Sequence, residues 1–81
     1  MKYYVYILLS QKDGNLYVGQ TSDIEKRLRT HNEGRVQSTK YRRPLQLVHF
    51  EEFGSRGEAM KRERWLKRPD SSEFKASLKG E

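Results

Sequence analysis

The chain has 81 residues, of which 35% are charged and 33% hydrophobic; it carries a net charge of +6 and a pI near 9.8. That length leaves room for one domain, residues 1–81, around a small core. The absence of cysteine excludes a disulfide scaffold and a thiolate metal staple, which fits a reducing, cytoplasmic setting; the opening apolar run is too short to span a membrane, and no small-residue cleavage site follows it.

Tyr3 to Leu9 is aromatic or branched and apolar at almost every position, which predicts a strand covered on both faces. Asp13-Gly14-Asn15 marks a turn, and Leu16 to Gly19 completes a hairpin. Ser22-Asp-Ile-Glu25 has the spacing of a capping box and predicts a helix to about Glu33, with Gly34 as its stop. On that helix Ile24, Leu28 and His31 share a face, with Arg27 at its edge. Arg35 to Arg43 is polar and basic, without an acidic residue. After Pro44, Leu45 to Phe53 reads as a third strand of mixed alternation. Ser55-Arg-Gly-Glu58 is a second capping box opening a helix to about Arg68, where Pro69 ends it. Ser71 or Ser72 can cap a last short helix, in which Phe74 and Leu78 pair one turn apart. The order β-β-α-β-α-α defines an α+β domain: a small three-stranded, mostly antiparallel sheet flanked by helices.

Three features stand out from this framework. Ala59, Glu63 and Leu66 put a carboxylate inside an apolar stripe, where it needs a cationic side chain or a metal as partner. Arg27 and His31 lie one turn apart beside the apolar face of the first helix; they can reach past it to solvent or contact a phosphate. Tyr3, Tyr4, Tyr6 and Tyr17 crowd the hairpin, either as sheet packing or as hydroxyls around a reacting water.

Tyr4-Val5-Tyr6, then ten residues, then Tyr17-Val18-Gly19 resembles the paired motif that names the GIY-YIG nuclease superfamily. Thr21 to Leu28 is similar to the helix carrying that family's catalytic arginine. Glu58-Ala-Met-Lys-Arg-Glu63 is similar to the helix carrying its metal-binding glutamate. His31-Asn32 and Arg42-Arg43-Pro44 resemble the small stand-alone bacterial members, and the likeness runs from Tyr3 to about Lys79. Tyr4 stands where the namesake glycine would be and Val18 where the isoleucine would be. Gln20 replaces a lysine found in some repair nucleases.

The resemblance implies a metal-dependent endonuclease acting on nucleic acid, with DNA the expected polymer. Tyr17 would act as general base and Tyr6 would position the water or the scissile phosphate. Arg27 would stabilise the transition state, and His31 would contact the phosphate or help the proton transfer. Glu63 would hold one Mg²⁺ or Mn²⁺, and Gly19 would permit close backbone packing. Such an ion with one arginine suits phosphodiester hydrolysis, since hard oxygen donors bind it and a guanidinium matches phosphate oxygens.

The net positive charge favours polyanions, nucleic acid before an anionic membrane, although solubility alone also accounts for it. Arg35, Lys40, Tyr41, Arg42 and Arg43 form the expected nucleic-acid-binding loop. Tyr41 would stack on a base there or cover the core. The basic second helix reads as a solvated face, with Glu58–Arg62 and Glu63–Lys67 spaced as ion pairs. Trp65 lies off the apolar stripe and would pack under the last helix, meet nucleic acid or join two copies. No separate DNA-binding domain accompanies these motifs, so a homodimer or a partner protein could supply specificity. Two other functions compete: a nucleic-acid-binding module with little activity, and an adaptor on a DNA-repair complex. The adaptor would need an exposed apolar patch, for which Trp65, Phe53 and Phe74 are the candidates.

Overall fold

A computed structural model of the chain describes residues 1–79; Gly80 and Glu81, the end of the expected domain, lie outside the described residues. The elements run β1 (Tyr3–Ser10), β2 (Leu16–Thr21), α1 (Ile24–Asn32), β3 (Leu45–Phe53), α2 (Arg56–Leu66), a 3₁₀ turn (Pro69–Ser71) and α3 (Ser72–Leu78). The three strands make one antiparallel sheet in the order β2-β1-β3. The α+β order expected from the sequence is the order found.

The continuous apolar run sits in the middle of the sheet, as its composition demands. Val5 and Ile7 point to one side, where Val18, Ala59 and Leu66 complete a core with Trp65 and Phe74 packed against it. Tyr6 and Leu8 point to the other, with Leu45, Tyr17, Leu28 and Leu47. The sheet therefore lies between α1 on one face and α2 with α3 on the other. The mixed alternation of β3 has a specific cause. Ile7 pairs with His49 but Leu8 with Leu47, so Val48 is the extra residue of a bulge. Odd-numbered residues face α1 before the bulge and α2 after it.

Local signals fixed most element ends, with four corrections. The cap of α1 is Asp23, not Ser22: its carboxylate accepts from the Lys26 N–H at 3.1 Å. β2 runs on to Thr21, beyond the expected Gly19, and so pushes the helix start along by one residue. The helix then stops at Gly34 as expected, with φ +79°. The N–H groups of Gly34 and Arg35 bond to the carbonyls of His31 and Thr30, the double closure of a Schellman end.

α2 begins at the expected Ser55 cap but ends at Leu66, two residues before Arg68, because the residue before Pro69 is held extended. Ser71 is the last correction. It makes no side-chain cap for α3; its buried hydroxyl instead turns back to the carbonyls of Leu66 and Arg68. One unpredicted clasp positions the site. The Asn32 amide donates to the Leu45 carbonyl and accepts from its N–H, at 3.0 and 2.8 Å, and ties the end of α1 to the start of β3.

Candidate active site

The strand register places Tyr6 opposite Gly19 and Leu8 opposite Tyr17, so both tyrosines emerge on the α1 face. α1 then presents Arg27 and His31 one turn apart to that face. The Tyr6 hydroxyl lies 2.9 Å from His31 Nε2 and accepts from Arg27 Nε at 3.3 Å. The Tyr17 ring packs edge-on against His31, with centroids 5.1 Å apart, and stands 6.4 Å from the ring of Tyr6. Four of the five expected catalytic residues thus form one cluster.

Gly19 is part of its construction. A Cβ there would stand 2.5 Å from the Tyr6 hydroxyl oxygen and 2.6 Å from Cζ. The phenol lies flat across this strand position only because it has no side chain.

His31 is fully buried, and both ring nitrogens are engaged, the second with Thr39 Oγ1 at 2.8 Å. Thr39 is itself fully buried. Burial first, and the Arg27 guanidinium second, push the imidazole down from 6.5 to about 4. It is therefore neutral at neutral pH and carries one proton between its two nitrogens. With that proton on Nδ1, the ring donates to Thr39 and its Nε2 accepts from the Tyr6 hydroxyl. Burial likewise raises Tyr6, opposed by the Arg27 hydrogen bond and charge; the negative charges of Tyr17 and Glu63 reinforce the rise. Arg27 is raised by its hydrogen bond to Tyr6, against burial, and both phenols hold its charge in place.

A pH dependence follows. In the unfolded chain His31 returns to 6.5, so between about 4 and 6.5 the unfolded state binds a proton that the native state refuses. Stability from this group is complete above 6.5 and is lost as the pH falls toward about 4, with a limiting slope of about 1.4 kcal/mol per pH unit. Urea unfolding across that window is expected to show a steeper fall for the wild type than for His31→Gln. Equal slopes would mean that the imidazole is hydrated.

Glu63 stands apart from the cluster. Val5 pairs with Gln20, so Gln20 emerges on the α2 face. There its amide donates to Glu63 Oε1 at 2.9 Å. Lys67 Nζ lies 3.0 Å from Oε2, and the Glu63 side chain is only 17% exposed. The carboxylate in the apolar stripe is thus satisfied by a cation one turn on, helped by the residue that departs from the repair-nuclease pattern. No group of three or more His, Cys, Asp or Glu side chains clusters among the described residues. One hard carboxylate fits an ion such as Mg²⁺, which keeps several waters and takes substrate oxygens, and does not fit an all-protein cage.

The basic loop divides. Lys40, Tyr41 and Arg43 share a groove with Lys12, and Tyr41 is 72% exposed, so it does not cover the core. Arg42 turns inward to Asp13 at 3.3 Å and to the Leu16 carbonyl. Arg35 stands apart, beside Glu33. Trp65 packs against the α2–α3 core under the Arg62 guanidinium, whose fork also holds Glu51. Thr39 carried no sequence signal, being a single polar residue in polar surroundings, and Gln20 stood out only as a departure from the repair-nuclease pattern. No described helix is long and apolar enough to cross a membrane.

Residues 2–76 match the family model described as the GIY-YIG catalytic domain. A UPF0213 protein of Staphylococcus saprophyticus is 51% identical over 67 residues, covering 82% of this chain and 80% of its own. Another, of Haloquadratum walsbyi, is 47% identical over 66 residues, covering 80% and 73%. The solution structure of a UPF0213 protein of Bacillus halodurans is 40% identical, covers 99% of this chain and 87% of its own, and superposes with a TM-score of 0.58. None of these names states a substrate or a reaction.

Proposed function

Since the chain belongs to the GIY-YIG catalytic-domain family, a nuclease superfamily, we propose that it is a divalent-metal-dependent endonuclease that hydrolyses phosphodiester bonds in nucleic acid, DNA foremost. The observation that carries this reading is the clustering of Tyr6, Tyr17, Arg27 and His31 on one sheet face.

Each residue has a chemical part. Tyr17 takes the proton from the attacking water. Tyr6 stays protonated and orients the water or the scissile phosphate. His31, neutral and closed off from solvent, acts through Tyr6 rather than on the phosphate, accepting the hydrogen bond of its hydroxyl and so fixing where the phenol points. Arg27 offers its two remaining nitrogens to the phosphate oxygens as negative charge builds there. Glu63 would hold Mg²⁺ or Mn²⁺ after releasing Lys67. A bound ion of this type supplies charge neutralisation at the phosphate and at the leaving oxygen.

The adaptor reading loses its supports, because Trp65, Phe53 and Phe74 all pack against the core. The binding module remains the alternative, and cleavage separates the two. Supercoiled, single-stranded and branched DNA, and RNA, incubated with the protein and Mg²⁺, Mn²⁺ or EDTA, are expected to be cut only with an ion. Tyr17→Phe is expected to lower the rate by roughly 10²-fold or more. Cutting in EDTA, or at full rate by the phenylalanine variant, would refute the proposed chemistry. Salt-sensitive binding without cutting would leave the binding module in its place.

A further inference from the structure

β2 is one of the two edge strands of the sheet, and between it and α3 runs a groove of about 590 Å³. Tyr17, whose ring faces α1, reaches it only at the strand edge, and Lys67, the partner of Glu63, lies on its wall, so it borders the proposed site on the α2 side. Leu16, Val18 and Ala76 give it an apolar floor, and Lys67, Lys75 and Lys79 give it three ammonium groups. No carboxylate lines it among the described residues. Lys67 is engaged with Glu63, whereas Lys75 and Lys79 have no acidic partner among the described residues. These two lie four residues apart, at the end of α3, and so on one side of it.

We propose that this groove holds a single strand of nucleic acid flanking the bond to be cut, with phosphates on Lys75 and Lys79 and a base on the apolar floor. This rests on the nuclease reading but extends it to a surface that the basic loop does not include. The combination is specific. Cations beside an apolar floor suit a strand with unstacked bases, because a charged track and a surface for bases are what single strands require. A duplex keeps its bases inside and offers the floor nothing, and an acidic peptide satisfies the lysines alone.

Binding in EDTA separates this proposal from cleavage. Fluorescein-labelled oligothymidylate, oligouridylate and a mixed-sequence duplex are titrated by anisotropy at several salt concentrations. The wild type is compared with Lys75→Ala/Lys79→Ala and with Lys40→Ala/Arg43→Ala. Both groove positions are at least partly exposed, and melting curves check that the fold persists. The groove variant is expected to bind the single strands roughly tenfold or more weakly at physiological salt, with its salt slope reduced by about 1.4, the value for two phosphate contacts on a single strand. DNA and RNA strands losing equally places the contacts on phosphates; a loss confined to one places them on the sugar as well.

An unchanged slope in the groove variant, or absence of single-strand binding by the wild type, overturns the proposal. So does an equal loss on the duplex, or displacement of the strand by polyglutamate at matched charge. A change of oligomeric state in the variant would make the groove a contact between copies instead. Cutting with an unaffected groove leaves the nuclease reading standing alone; groove binding without cutting leaves the groove standing alone.

Discussion

Glu63→Gln is expected to abolish metal-dependent cleavage, a loss on the order of 10²–10³-fold or more, while the fold survives. The amide matches the carboxylate in shape and can still meet Gln20, which bonds to Oε1 in the wild type. What disappears is the charge, and with it the hard donor for the ion. Lys67, 3.0 Å from Oε2 in the wild type, also loses its partner, so strand binding should hold or strengthen. That pattern, cutting lost with binding kept, distinguishes an ion-holding residue from a structural one. Binding of Mn²⁺ followed by its paramagnetic resonance should weaken in parallel. Full cutting by the variant would remove Glu63 from the site.

Gly19→Ala should damage both stability and activity. The added methyl would stand 2.5 and 2.6 Å from two atoms of the Tyr6 phenol. That side chain cannot swing aside, because it is 2% exposed and held by His31 and Arg27. Overpacking of this kind costs about 1–3 kcal/mol, which for a domain of this size lowers the melting temperature by roughly 5–20 °C. If the phenol moves by about 1 Å, the rate should fall by up to roughly 10²-fold even in the folded fraction. Gly57→Ala is the control. Nothing lies within 4 Å of its added methyl, and in the first turn of α2 alanine should stabilise slightly. A Gly19→Ala protein as stable and active as that control would show that the Tyr6 position is adjustable.

The elements were legible because their signals are local. The apolar run of β1, the Asp13-Gly14 turn, the Ser55 cap and the Gly34 stop are each written within a few residues. The errors arose where neighbours competed: Thr21 extending β2 moved the cap from Ser22 to Asp23, and Pro69 reached back to end α2 early. The bulge at Val48 appeared only as imperfect alternation, since its reason is the pairing partner and not the strand itself. For the site, the family resemblance pointed to Tyr6, Tyr17, Arg27 and His31. It could not reveal that Thr39 closes off the imidazole or that Gln20 joins Lys67 on Glu63, although the Glu63–Lys67 pair was legible in its spacing of four. The grip of Lys75 and Lys79 on one groove needed the sheet edge in place, although their spacing of four was there to read.

The order in which the site residues occur along the chain has a consequence for truncated forms. The phenols, the guanidinium, the imidazole and its threonine all lie between Tyr6 and Thr39, whereas Glu63 waits on α2. A chain cut short before α2 keeps the first set and loses the carboxylate, and with it Ala59 and Leu66 from the core. On the proposed roles, such a fragment lacks both the residue that recruits the ion and the packing that holds the sheet.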